Sequence, residues 1–130
     1  MNMEIIFPEG DRVEAIFNGN TIVTDQDGSA PAPFELFLAS IGTCAGIYVS
    51  RFCRQRGIPT EGIHLVQRMA VDPATGMVTD VQVTIELPDG FPDKYADAVV
   101  RAAEQCAVKK HFERPPVIRV DSTIGAAAGA

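Results

Sequence analysis

Basic residues are scarce in this sequence. Eleven Lys and Arg residues stand against 17 Asp and Glu residues, and the formal net charge is -6 over 130 positions. Phosphate contacts need a basic surface, so nucleic-acid binding is not expected. The chain also has no unbroken run of 18 apolar residues, and residues 1–7 have no basic segment before an apolar one. We therefore expect neither a membrane span nor a signal peptide, and a cytoplasmic location.

Motifs for cofactors and metals are also missing from the sequence. It has three cysteines and two histidines, and it has no C-x-x-C pair, glycine-rich phosphate loop or G-x-S-x-G elbow. An odd number of cysteines argues against a disulfide scaffold, and cytoplasmic thiols stay reduced. A zinc site built from Cys44, Cys106 and His111 would lack any closely spaced ligand pair. We therefore expect no cofactor and no metal.

What the sequence does contain is the pattern of one α+β domain, residues 1–124. Its 46% hydrophobic residues can form a core, and strands and helices mix without a regular βαβ alternation. Asn18-Gly19 favours a tight hairpin, and a long helix should begin at Pro33 and end at Arg56, before Gly57. A small-residue tail, residues 125–130, is predicted to be disordered. The other predicted elements are strands at 3–7, 13–17, 21–24, 63–71, 77–87 and 117–120, and a second helix from Pro92 to beyond Cys106.

The long helix is apolar on almost every side from Phe34 to Val49. A helix of this kind must be buried all round. A chain of 130 residues has little material with which to surround it, so we expect a partner subunit to cover part of it.

The three cysteines differ in position. Cys44 and Cys53 are nine residues apart, which places them on opposite faces of the long helix and roughly 13 Å apart along its axis. They cannot form a disulfide, which leaves Cys44 with Cys106 and Cys53 with Cys106 as possible pairs. Cys106 falls on the buried stripe near the end of its helix, a position that disfavours a thiolate. Cys44 and Cys106 can also be read as small core residues, whereas Cys53, which lies among arginines, is expected to be semi-exposed and without a role.

Residues 33–44, PFELFLASIGTC, resemble the helix signature of the osmotically inducible protein C (OsmC) and organic hydroperoxide resistance family. The resemblance extends over most of the chain and includes a second cysteine about sixty residues later, here Cys106. It implies an intertwined homodimer with the long helices between two sheets. It further implies a thiol peroxidase in which Cys44 attacks an organic hydroperoxide or hydrogen peroxide. Cys106 would then resolve the sulfenic acid to a disulfide, which a lipoyl-type dithiol or a small thiol reduces.

The resemblance also implies an arginine from the N-terminal strands that holds the thiolate and a helix glutamate that orients the arginine. Arg12 and Glu35 are the residues that correspond. Arg12 can equally be an exposed strand residue, and Glu35 an acid that stabilises the start of its helix. The family's best-known peroxidases have the acid directly after the proline, where this chain has Phe34.

Two other functions compete with the peroxidase. The apolar Phe34 in place of an acid favours a protein that binds a small apolar or thiol-bearing ligand at its dimer interface. Alternatively, both Cys44 and Cys106 are core residues without chemistry.

Overall fold

Five β-strands and three α-helices make up the described part of the chain, residues 1–125 of the computed structural model. A short 3₁₀ turn at Asp93–Tyr95 precedes the second α-helix. The elements in chain order are β1 (Glu4–Glu9), β2 (Arg12–Phe17), β3 (Asn20–Thr24), α1 (Pro33–Gln55), β4 (His64–Val71), β5 (Val78–Glu86), α2 (Ala96–Ala103) and α3 (Ala107–Glu113).

The N-terminal strands form an antiparallel meander in the order β1-β2-β3. The turn between β2 and β3 uses Asn18 and Gly19, which have φ values of 51° and 75°. Both residues tolerate positive φ, and this turn matches the twist of the two strands that it joins. The predicted hairpin is therefore confirmed.

Helix α1 begins and ends where local sequence predicts. Pro33 takes the first helical position, and the Glu35 carboxylate accepts a hydrogen bond from the Ala32 N–H at 2.9 Å. At the other end Gly57 has a φ of 66°, the left-handed conformation that stops helices. The helix therefore has defined ends that do not depend on the rest of the fold.

The core lies around the C-terminal half of α1. Helix α2 packs along α1, and the β4–β5 hairpin contacts α1 through β4. Partly buried side chains from the hairpin and from the loops that follow it close this core. The buried core residues are Val49, Phe52, Cys53, Phe91 and Val99.

The N-terminal half of α1 is much more open. Phe34 and Phe37 are each about half exposed, and 22% of the most apolar part of α1 is buried in the single chain. By length and composition α1 could cross a membrane, a test that the core helix of a soluble protein also passes. The predicted need for a covering partner follows from this same apolar surface.

The three-stranded sheet has few contacts with the rest of the chain. Ile5 and Ile22 both lie beside Ala15 in register, so the three side chains share one face. Ile5 and Ile22 are nevertheless exposed. This face is a second apolar surface that the single chain does not cover.

Two predicted elements differ from the structure. The predicted helix from Pro92 is interrupted between Ala103 and Ala107, so that it forms α2 and α3. Residues 117–120, predicted as a last strand, carry no regular secondary structure, and their apolar side chains are exposed, because they pair with no strand within residues 1–125. Most of the tail predicted to be disordered, residues 126–130, lies outside the described residues.

Candidate active site

Cys44 lies in the middle of α1 and is half-buried, between Gly42 and Gly46. The two glycines are one helical turn apart and face β4. A Cβ on Gly42 would lie 2.5 Å from Oε1 of Gln67, and one on Gly46 would lie 3.9 Å from the side chain of Leu65. Residue 44 is about 160° around the helix from residue 42. The glycines therefore admit β4, and Cys44 lies on the face away from the chain's own hairpin.

A cleft of about 840 Å³ opens between α1, β5 and the α2–α3 region. Its walls are almost entirely apolar, with Val81, Val83 and Ile85 on the β5 side. Phe34 and Phe37 line the α1 side, with ring centroids 5.5 Å apart. The cleft is thus suited to an apolar molecule.

Helix α3 closes one end of the cleft. Phe112 of α3 meets Phe37 of α1 edge to face, with centroids 5.6 Å apart. Cys106, at the start of α3, lines the cleft, and so does Ala45, the neighbour of Cys44. The structure thus places the elements that carry the two cysteines in contact, and both thiols are free.

Cys106 begins a helix, whereas the sequence predicts it near a helix end. It is the N-cap residue of α3, and its sulfur accepts a hydrogen bond from the Lys109 N–H at 3.2 Å. The predicted burial is confirmed, because 2% of Cys106 is exposed. The predicted position near a helix end is wrong, because Cys106 stands at the start of α3 and not at the end of α2.

Charge near Cys106 comes from one loose ion pair. The Lys109 ammonium lies 3.7 Å from the Glu104 carboxylate, and both side chains are about half exposed. Glu104 and Lys109 are the charged residues that line the cleft, so it has one polar end and a long apolar wall.

Cys53 is a core residue, so the predicted semi-exposed position is wrong. It is fully buried, and this burial raises the pKa of its thiol, an effect that the nearby Arg56 only partly opposes. Its position on the face of α1 opposite Cys44 keeps it out of any disulfide with that residue.

We expect Cys53 to resist alkylation in the native protein. The thiolate is the reactive form, and both the raised pKa and the complete burial of Cys53 oppose it. Treatment with iodoacetamide at pH 8, followed by peptide mass mapping, should label Cys44 well before Cys53. Labelling of Cys53 in the folded protein as fast as in denaturant would contradict its placement in the core.

Arg12 and Glu35 make local contacts in the single chain. Arg12 Nε donates to Glu14 at 2.7 Å, and this hydrogen bond raises the pKa of Arg12. Strand β2, which carries Arg12, lies in the sheet that hardly touches α1. Glu35 accepts the Ala32 N–H, and on α1 it lies on the face opposite Cys44, about 13 Å away along the axis. Within one chain, the structure does not bring either side chain to Cys44.

The sequence did not reveal Gln67, Leu65 and Phe112. Two glycines one turn apart predict that something approaches α1 closely, but only the fold shows that it is β4. Phe112 follows the helix break, which has no sequence signal. Within residues 1–125 no group of three His, Cys, Asp or Glu side chains could hold a metal ion, and the set Cys44, Cys106 and His111 is therefore not assembled there.

Solved structures with the same architecture carry related names. A structure of an osmotic stress induced and detoxification response protein from Psychrobacter arcticus 273-4 is 21% identical, with a TM-score of 0.71 over 85% of this chain and 86% of that one. An OsmC-like protein from Mycoplasma pneumoniae is 9% identical, with a TM-score of 0.68 over 86% of each chain. An OsmC-like hydroperoxide resistance protein from Jannaschia sp. CCS1 is 19% identical, with a TM-score of 0.55 over 89% of this chain and 84% of that one.

Because the identities are low, these likenesses establish the fold and nothing beyond it. No curated protein matches the sequence. The model of the family described as OsmC-like protein matches residues 26–121, which include α1, the β4–β5 hairpin, α2, α3, and the two cysteines Cys44 and Cys106. By this match over most of its length, the chain belongs to the OsmC-like protein family.

Proposed function

We propose that this protein is a thiol peroxidase that reduces organic hydroperoxides, with Cys44 as the attacking thiol and Cys106 as the resolving one. The observation that carries the proposal is the pair of free cysteines on contacting elements, one of which lines a large apolar cleft. Family membership, and a fold neighbour named for hydroperoxide resistance, support the same reaction class.

The proposed reaction needs no cofactor. The Cys44 thiolate attacks the terminal oxygen of the hydroperoxide, the O–O bond breaks, and the alkoxide takes a proton and leaves as an alcohol. The Cys106 thiol then attacks the resulting sulfenic acid, which forms an S–S bond and releases water. An external reductant, either a lipoyl-type dithiol or a small thiol, then reduces the disulfide by thiol–disulfide exchange.

The apolar cleft favours an organic hydroperoxide over hydrogen peroxide as the substrate. Its valine, isoleucine and phenylalanine walls can bury the alkyl or aryl group of a hydroperoxide, a gain of roughly 25 cal/mol for each Å² of apolar surface removed from water. Hydrogen peroxide has no such surface, so the same walls would do nothing to hold it.

A homodimer is part of the proposal. The exposed apolar half of α1 and the apolar face of the three-stranded sheet both need a partner surface. Because β2 hardly touches α1 in its own chain, Arg12 would have to act on Cys44 of the other subunit.

We expect light scattering to give twice the 14.0 kDa of the single chain at micromolar concentration. Replacing Ile5 by Asp places a charge on the exposed face of the three-stranded sheet and should shift the mass towards that of the monomer. Glu4→Asp, at the neighbouring position, is the matched control and should leave the mass unchanged. A parent protein that stays at 14.0 kDa would contradict the dimer.

The direct test of the function is turnover. Reduced protein with dihydrolipoamide should consume cumene hydroperoxide faster than hydrogen peroxide, as measured by residual peroxide over time. Consumption no faster than with the dithiol alone would overturn the proposal.

A second candidate, binding without turnover, is favoured by two observations. Phe34 lines the cleft where the family's peroxidases carry an acid, and Glu35 is engaged at the start of α1. In that case 2-phenyl-2-propanol, the unreactive alcohol that corresponds to cumene hydroperoxide, should shift the methyl resonances of Val81 and Val83 in a protein that consumes no peroxide.

A further inference from the structure

The side chain of Gln67 makes an unusual contact with α1. It comes from β4 and lies across the helix at Gly42, where a Cβ would be 2.5 Å from Gln67 Oε1. Real Cβ atoms essentially never come so close to another heavy atom, so a side chain at residue 42 would displace the flexible end of Gln67 from the place where it binds the helix. Gly46, one turn later, is different: a Cβ there would make an ordinary contact of 3.9 Å with Leu65. The close approach is therefore a property of the pair Gln67 and Gly42.

Gln67 also forms a directional bond with the helix backbone. Its Nε2 donates to the carbonyl oxygen of Leu38 at 2.9 Å. Within the helix, the Leu38 carbonyl accepts the N–H of Gly42, four residues later. The Gln67 amide therefore binds the helix one turn before Gly42, the residue over which it lies. Within residues 1–125 no other side-chain hydrogen bond joins a strand to α1.

This bond bears on the direction of the Cys44 thiol. Apolar contacts between a strand and a helix leave the helix free to roll by small angles, whereas a hydrogen bond to one carbonyl restricts the roll. A roll of about 20° would move an atom about 5 Å from the helix axis by roughly 2 Å. Misplacement of a reacting group by about 1 Å can slow a reaction on the order of a hundredfold.

We propose that Gln67 is a positioning residue for Cys44, which holds the roll of α1 through Leu38 and Gly42 so that the thiol points away from β4. The proposal rests on the proposed function only in taking Cys44 as the attacking thiol. It also accounts for Gly42, two residues before Cys44. This glycine serves the contact with β4 and does not face the substrate.

The test compares variants on the same face of the helix. Gln67→Met keeps the length of the side chain and removes the donor, and Gly42→Ala forces the amide to move. Gly46→Ala is the matched control, because its methyl has room. The oxidation of Cys44 by cumene hydroperoxide and its alkylation by iodoacetamide are followed by peptide mass mapping, and the alkylation of Cys106 in the same molecule is the internal reference.

We expect Gln67→Met and Gly42→Ala each to slow both reactions of Cys44 tenfold or more. The alkylation rate of Cys106 should stay within about twofold of the parent rate, and Gly46→Ala should behave as the parent protein. A merely structural role would lower the melting temperature and change both thiols together. If Gly42→Ala fails to fold, Gln67→Met still decides the matter.

The outcomes separate the two proposals. Parent-like reactions of Cys44 in folded Gln67→Met would overturn the positioning role and leave the peroxidase standing. A parent protein whose Cys44 is alkylated but never oxidised by the hydroperoxide would overturn the peroxidase. Slower alkylation in Gln67→Met would then still support the positioning role.

Discussion

Serine in place of Cys44 is expected to lower the rate of hydroperoxide consumption by about a thousandfold or more, because removal of a nucleophile removes the covalent step itself. A hydroxyl at this position stays protonated and cannot accept an oxygen atom as a thiolate does. The half-buried site already holds a small side chain among glycine and alanine, so serine should leave the fold intact. The rate is measured as residual cumene hydroperoxide in the presence of dihydrolipoamide.

Cys106→Ser is the matched control for that experiment. It should keep one fast oxidation per subunit but lose rapid recycling, because the Cys44 sulfenic acid then has no resolving thiol in its own chain. Dimedone, which reacts with sulfenic acids, should label Cys44 in this variant and not in the parent. Equal loss of the first oxidation in both variants would show that the two cysteines do not have separate roles.

Alanine in place of Phe52 is expected to lower the free energy of unfolding by about 3–5 kcal/mol, the range found for truncation of a buried aromatic residue. The ring is buried in the core, it meets the Tyr95 ring edge to face with centroids 5.8 Å apart, and the Arg56 guanidinium carbon lies 3.7 Å from its centroid. Domains have only about 5–15 kcal/mol of stability in total. Urea unfolding of both proteins measures the difference.

Arg56→Met measures the contribution of the cation to stability separately from the contribution of the packed Phe52 ring. It removes the charge over the ring and the hydrogen bond to the Phe52 carbonyl, and should lower the free energy of unfolding by about 1–2 kcal/mol. A loss below about 1 kcal/mol in Phe52→Ala would mean that the core does not depend on this ring, contrary to its burial.

Local sequence was sufficient where a structure depends on its own residues. Pro33 and Gly57 set the ends of α1, and Asn18-Gly19 sets a turn, because the conformational preference of each residue acts without a partner. The break before Cys106 could not be predicted in the same way. Ala102, Ala103 and Ala107 are strong helix formers, so the interruption depends on how α2 and α3 pack against α1.

The same limit applies to residues 117–120. Val117, Ile118 and Val120 favour a strand by type, but a strand also needs an edge to pair with, and in the described part of the chain this segment is paired with none. The sequence of a segment indicates its conformational preference but not whether a second chain supplies a strand edge for it to pair with.

For the site, sequence and family resemblance point to Cys44 and Cys106 as the reactive pair, which stays a prediction, and they do not give the surroundings of either residue. The glycines on either side of Cys44 left open whether a ligand or another element approaches, and the structure shows that β4 does. The roles of Arg12 and Glu35 stay predictions, because they depend on a neighbouring subunit and on Phe34 standing in the usual place of the acid.

One measurement tests the central claim most directly. Reduced protein is treated with one equivalent of cumene hydroperoxide, quenched, digested without reductant and mapped by mass spectrometry. We expect a cross-linked pair of peptides that contain Cys44 and Cys106, about 2 Da lighter than the sum of the reduced peptides, with Cys53 unmodified. Unreacted thiols throughout, or oxidised Cys44 with no bond to Cys106, would contradict the account.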